Sequence, residues 1–165
     1  MAPWQNGRFA AEIDGDFVVF LIGMRINRLL LLNKWLPVAA AMPRMLRELE
    51  QHKELGLLSA HGFFAGRTLM TLQYWRSFEQ LHAYAHARDK AHLPAWAAFN
   101  RAVGNNGAVG VFHETYLVKA GQYESIFVNM PPFGLGIAGH LSQAIGPRTS
   151  AKTRLQQQDD GPPAP

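Results

Sequence analysis

Residues 57–75, LLSAHGFFAGRTLMTLQYW, constrain the fold more than any other stretch. Two runs rich in apolar and β-prone residues, 57–65 and 68–75, meet at Gly66-Arg67, which is the pattern of a hairpin. A helix signal follows at once. Ser77 is a good N-cap, Glu79 and Gln80 sit in the first turn, and Phe78, Leu81 and Ala85 recur at helical spacing. Further on, HLPAWAAFNRAVG reads as another helix, with Pro94 in its first turn, Trp96, Phe99 and Val103 on one face and Gly104 as its stop. AVGVFHETYLVKA then supplies a strand over 109–118.

The N-terminal side mirrors this order. DFVVFLIGMRI, 16–26, is apolar on both parities, as a strand covered on both faces requires, and Gly23 marks a bulge or a close approach. In LNKWLPVAAAMPRMLRELEQHKELG, Pro37 and Pro43 argue against one uninterrupted helix. They predict a short turn and a helix from about Pro43 to a stop at Gly56. On it Met42, Leu46, Leu49 and Lys53 share a side, and Arg44 pairs with Glu48 on the exposed side. The whole is β-α-β-β-α-β with the second helix doubled, an α+β chain of ferredoxin-like order. Its helices lie on one face of the sheet, so the other face needs a cover, and a second copy of the chain is the simplest one.

The flanks carry less signal. Residues 1–15 read as an extended arm, 16–146 as one domain and 147–165, PRTSAKTRLQQQDDGPPAP, as a disordered tail. FHETYLVKAGQYESIF, 112–127, reads as a hairpin around Ala120-Gly121, followed by a loop through Pro131-Pro132.

Composition narrows the function. Among 165 residues, 48% apolar and 17% charged, there is no cysteine, which excludes disulfides, thiolate metal sites and cysteine nucleophiles. The net charge of +4 comes from scattered basic residues rather than a stripe, so nucleic-acid binding is not expected. FVVFLIGMRINRLLLLNKWL is broken by Arg25 and Arg28 and falls short of the ~20 apolar residues of a spanning helix. The N-terminus lacks the pattern of a secretory signal, and a cytoplasmic protein without a membrane span is the expectation.

Several side chains can carry chemistry. His82 and His86 are four apart on a helix, with His92 just beyond; that spacing suits two imidazoles on a metal or haem, or simply two histidines flanking an apolar stripe. No third ligand is fixed by spacing, and no metal site is assigned. His113 and Glu114 are neighbours on a strand and point to opposite faces. Glu114 shares a face with Phe112 and Tyr116, and a carboxylate there needs a partner such as Arg25 or a tyrosine hydroxyl. Trp75, Tyr84, Trp96 and Phe99 line either a ligand pocket or an ordinary core, with Tyr123 on the hairpin beyond. No phosphate-binding glycine loop and no G-x-S-x-G elbow is present, which removes nucleotide binding and serine hydrolysis.

FLIGMRIN, KWLPVAAAMPRMLREL, LQYWRSFEQLHAYAHARDKAH and above all FHETYLV…GQYESIFVNMPPFGLG resemble the monooxygenase-like family that includes the fumagillin-pathway enzyme. That family is grouped with the dimeric α+β barrels of the antibiotic-biosynthesis monooxygenases. The likeness spans roughly residues 8–140, and the block from His113 to Gly136 is its most specific part. It implies a homodimer and one of two chemistries. Some members of the superfamily oxidise electron-rich aromatic or polyketide substrates with O2 and no cofactor; others bind haem through a histidine on the second helix. His86 or His92 lies nearest that haem position, with His82 a third match. The resemblance thus implies a small oxygenase of secondary metabolism on an apolar, aromatic or enolisable substrate, or a non-catalytic dimer holding haem or a hydrophobic ligand. His113, Glu114, Tyr116 and Arg25 are the expected catalytic groups.

Overall fold

The computed structural model describes residues 3–87, 97 and 107–159. Its elements run β1 (Arg8–Glu12), β2 (Phe17–Ile26), α1 (Leu32–Gln51), a 3-10 turn (Lys53–Leu55), β3 (Leu57–Ala65), β4 (Thr68–Trp75), α2 (Phe78–His86), β5 (Val109–Val118), β6 (Phe127–Val128), α3 (Leu135–Ala138), β7 (His140–Gln143), a second 3-10 turn (Gly146–Thr149) and α4 (Ala151–Asp159). The expected helix over 92–104 lies outside the described residues.

Four strands form the main sheet in the order β3-β4-β2-β5, all antiparallel. This is the ferredoxin-like α+β arrangement. Register decides which residues meet. Val18, Phe20, Ile22, Met24 and Ile26 share a face with Thr71, Gln73 and Trp75 of β4, and this face receives the helices. Val18, Trp75, Leu49, Leu81 and Tyr84 are its buried centre.

Both prolines lie inside one continuous α1 of 20 residues, so the expected break before Pro43 does not occur. Proline removes a ladder hydrogen bond, but Trp35, Val38, Ala39, Met45 and Leu49 bury the helix's inner face against the sheet. Tertiary burial outweighs local preference here. Arg44 does not pair with Glu48 either: its Nε donates to the Ala40 carbonyl at 3.2 Å. Ser77 caps α2 as its sequence indicates, its Oγ accepting from the Gln80 N–H. Leu81 and Tyr84 are the buried residues of α2, while Phe78 is exposed.

The opposite face of the main sheet is partly covered by the chain itself. β1 pairs with β6 and β7 to form a second sheet, where only an extended arm was anticipated. Ala11 of β1, Ile13 just beyond it and Leu135 of α3 pack with Phe17, Val19, Tyr74 and Val118. The 112–127 hairpin does not form, because Phe127 pairs with Phe9 of β1 rather than with β5. Between them, the Tyr123 hydroxyl accepts from the Ile13 N–H at 2.8 Å and Ser125 Oγ accepts from the Ala11 N–H at 2.9 Å. Side chains thus satisfy β1 where a strand would have done so.

The C-terminal stretch departs from the expected disorder over its described part. α4 docks through Arg154, which is 7% exposed. Its Nε and Nη2 donate to Glu124 Oε2 at 2.9 and 2.7 Å, and Nη1 donates to the Arg148 carbonyl. One buried, fully engaged guanidinium fixes a segment whose low apolar content suggested none.

Candidate functional site

A small apolar cavity of about 40 Å³ lies between α1, α2 and the main sheet. Phe20, Ile22, Met42, Met45, Leu49, Trp75 and Tyr84 are among its walls. It is a few water volumes in size, so a larger guest enters only if the walls yield, and Met42 and Met45 are the unbranched side chains best able to do so.

Its polar groups are few and occupied. Gln73 is 3% exposed; its Oε1 accepts from Trp75 Nε1 at 2.9 Å and its Nε2 donates to Thr71 Oγ1 at 3.0 Å. The Tyr84 hydroxyl donates to Glu48 Oε2 at 2.8 Å. Burial, and then the Glu48 carboxylate, push the Tyr84 hydroxyl far above its usual range, so it serves as a donor and not as a base. Neither Gln73 nor Glu48 was anticipated. A glutamine on the inward parity of β4, between Thr71 and Trp75, was the available signal.

The strand register resolves how β5 divides its groups. His113 pairs with Ile22 and its ring lies 5.8 Å from that of Phe20, so it is on the helix side of the sheet, exposed and beside two of the cavity's wall residues rather than in its lining. Glu114 and Tyr116 are on the other face, beside Leu21 and Val19. There the Tyr116 hydroxyl donates to Glu114 Oε2 at 2.5 Å, and that contact holds the phenol above its ordinary range. His113 therefore does not work on one ligand with Glu114 and Tyr116. Arg25 does not meet Glu114: it pairs across Gly110, four residues along β2 from Leu21, about 13 Å at strand rise.

The remaining expectations sort as follows. Trp75 and Tyr84 do line the cavity. Tyr123 does not; it stacks edge-on with Phe17 on the opposite face. His82 and His86 lie on the exposed side of α2, their rings stacked at 4.1 Å and His86 Nδ1 2.9 Å from the His82 carbonyl oxygen. Neither lines the cavity, and about 40 Å³ is far below the several hundred of a cofactor pocket. These two histidines do not fit a haem there. His92, Trp96 and Phe99 lie outside the described residues.

One unanticipated histidine is built into the seam between the main sheet and the C-terminal extension. His61 Nε2 accepts from the Gly134 N–H at 3.0 Å, its ring lies 4.2 Å from Phe133, and Ser59 Oγ donates to the Gly134 carbonyl. Burial lowers its pKa below 6.5. The unfolded chain then binds the proton more readily than the folded one. Stability is full above about pH 6.5 and falls as the pH drops below it. Thermal melts from neutral to mildly acidic pH are expected to show this loss, and His61→Gln to flatten it.

A family model described as monooxygenase af470-like matches residues 17–135. Monooxygenase af470 of Aspergillus fumigatus is 32% identical over 152 residues, covering 81% of this chain and 50% of the relative, so this chain spans about half the relative's length. Among solved structures, aldoxime dehydratase superposes with a TM-score of 0.61 at 20% identity, over 85% of this chain and 42% of that one. SnoaB, a cofactor-independent oxygenase from Streptomyces nogalater, gives 0.44 at 10% identity over 61% and 91% of the two chains. No helix among the described residues is long and apolar enough to cross a membrane. With the main sheet, α1 and α2 all inside the matched span, the chain belongs to the monooxygenase af470-like family.

Proposed function

We propose that the chain is a small oxygenase that holds an apolar, enolisable substrate on the helix side of the main sheet. The observation that carries this reading is an apolar cavity on the face to which His113 also points, its ring beside Phe20 of the cavity wall, in a chain of a monooxygenase family. His113 takes a proton from the substrate, an apolar wall keeps water from the resulting carbanion, and that carbanion reduces O2. In the simplest balanced form a CH2 group and O2 give a carbonyl and water. One oxygen atom stays in the product, and the substrate supplies all four electrons. Gln73 and Tyr84 hold the wall in shape rather than react. The test is oxygen uptake by the purified protein with an enolisable polycyclic phenol. One O2 consumed per substrate, above the rate without protein, supports the reading; no protein-dependent uptake removes it.

The uncovered part of the opposite face supports a homodimer. Leu21, Leu72 and Met70 lie half-buried there, with Phe63, Phe112 and Tyr116 exposed beside them. A relative only 50% covered by the match has room for a second such unit in one chain. Glu114 and Tyr116 then belong to the seam between copies, and the alternative of a non-catalytic dimer shares this assembly. Phe112→Lys places a cation in that seam and is expected to convert dimer to monomer in sedimentation velocity. The Phe112 ring also fills the space over Gly23, where a Cβ would fall 2.6 Å from it. The close approach anticipated for Gly23 is this one.

A further inference from the structure

The end of the molecule where β2 passes into α1 is apolar and basic, and its leucines are exposed among the described residues. Leu30 is 95% exposed, and Leu29, Leu32 and Leu36 stand 45%, 53% and 49% exposed around it. The loop is shaped rather than loose: Trp35 Nε1 donates to the Leu29 carbonyl at 3.0 Å. The Ile26 N–H donates to the Arg67 carbonyl at 2.9 Å, which brings the β3–β4 turn to the same end. Phe64 joins from that hairpin, 81% exposed and paired with Leu69, which, like Trp35 and Val38 of α1, packs against the cluster of Met24, Ile26 and Val109.

The charges here have one sign. Arg28 and Lys34 flank the leucines in sequence and Arg67 is brought to this end by its bond to Ile26, and none is ion-paired with a carboxylate among the described residues. No Asp or Glu occurs anywhere in 17–47 or 55–78. Acidic groups gather at the other end, with Asp14 and Asp16 before β2 and Glu48, Glu50 and Glu54 where α1 finishes.

Exposed leucines at a tip are costly in water unless something covers them. A protein partner would need a shaped apolar groove ringed by acids. An anionic bilayer offers both features without specific shape, because acyl chains accept leucines and headgroup phosphates accept cations. Tryptophan at the base of the tip suits the headgroup level. We propose that this tip is a membrane-docking surface that seats Leu29, Leu30, Leu32 and Leu36 in an anionic leaflet, with Arg28, Lys34 and Arg67 against the phosphates. The chain lies on the membrane and does not span it. The proposal stands independently of the oxygenase reading.

The test is co-sedimentation of the full chain with vesicles of phosphatidylcholine alone and of phosphatidylcholine mixed with phosphatidylserine. Binding to the phosphatidylserine vesicles is expected to be about tenfold or more tighter, and to weaken as salt rises. A Leu30→Glu, Leu32→Glu double variant, both positions being exposed, is expected to keep its thermal melt and lose about tenfold or more in vesicle binding. Equal partition to both vesicle types, or an unaffected double variant, overturns the proposal. So does a double variant that shifts the oligomeric state in sedimentation velocity, since the leucines would then cover a second copy.

Discussion

Replacing Trp75 by alanine is expected to cost about 3–5 kcal/mol of folding stability, a large part of the 5–15 kcal/mol that holds an ordinary domain together. Trp75 is 1% exposed and sits among Val18, Leu49, Leu81 and Tyr84, so its removal leaves a void in contact with α1, α2 and the sheet at once. The same change strips the Gln73 side-chain oxygen of its indole donor in a buried setting. The void also merges with the existing cavity, so the neighbours have little reason to close over it. Trp75→Phe separates the two effects. It keeps much of the volume and loses the N–H, and a cost of about 1–3 kcal/mol is expected. Denaturant titration of the three proteins, with the slope of the transition compared as well as its midpoint, makes the measurement. A Trp75→Ala protein as stable as the parent would mean that this cluster is not the core.

The second large effect concerns turnover. His113→Ala is expected to lower kcat about 10²–10⁴-fold, the usual worth of a positioned acid or base, with substrate binding little changed. The reason is placement: His113 stands beside Phe20 and Ile22, both of which line the cavity. Glu114→Gln makes the contrast. Glu114 is the next residue on the strand but faces the other way, where the Tyr116 hydroxyl is its partner. Oxygen-uptake kinetics are expected to leave Glu114→Gln close to the parent while His113→Ala loses turnover. Equal effects of the two changes would contradict the assignment of faces.

The main fold was legible because its signals are local. Apolar, β-prone runs on either side of Gly66-Arg67 defined β3 and β4 to the residue, and Ser77 announced α2. The continuity of α1 through Pro37 and Pro43 was not, because it depends on burial against a sheet assembled from distant segments. The second sheet was illegible for a related reason. Its strands are five, two and four residues long, and the pairing of Arg8 with Val128 spans most of the chain. Disorder was expected from the composition of the C-terminal stretch, and composition does not register a single arginine buried against Glu124. At the site, Trp75 and Tyr84 were visible as aromatics flanking a strand and a helix. Opposite orientation of His113 and Glu114 followed from strand geometry alone, but which of them meets the helices required the register with β2. Two histidines four apart suited either a ligand pair or two groups flanking an apolar stripe; that spacing places them side by side on one face of the helix, and in α2 both are exposed.

The central claim is that guests bind on the helix side of the sheet, and methionines report on it from both sides. Met42 and Met45 line the cavity, whereas Met70 pairs with Gly23 on the opposite face. Methyl-labelled methionine NMR, titrated with an apolar phenol, is expected to shift Met42 and Met45 and leave Met70 in place. Shifts confined to Met70 would contradict the account.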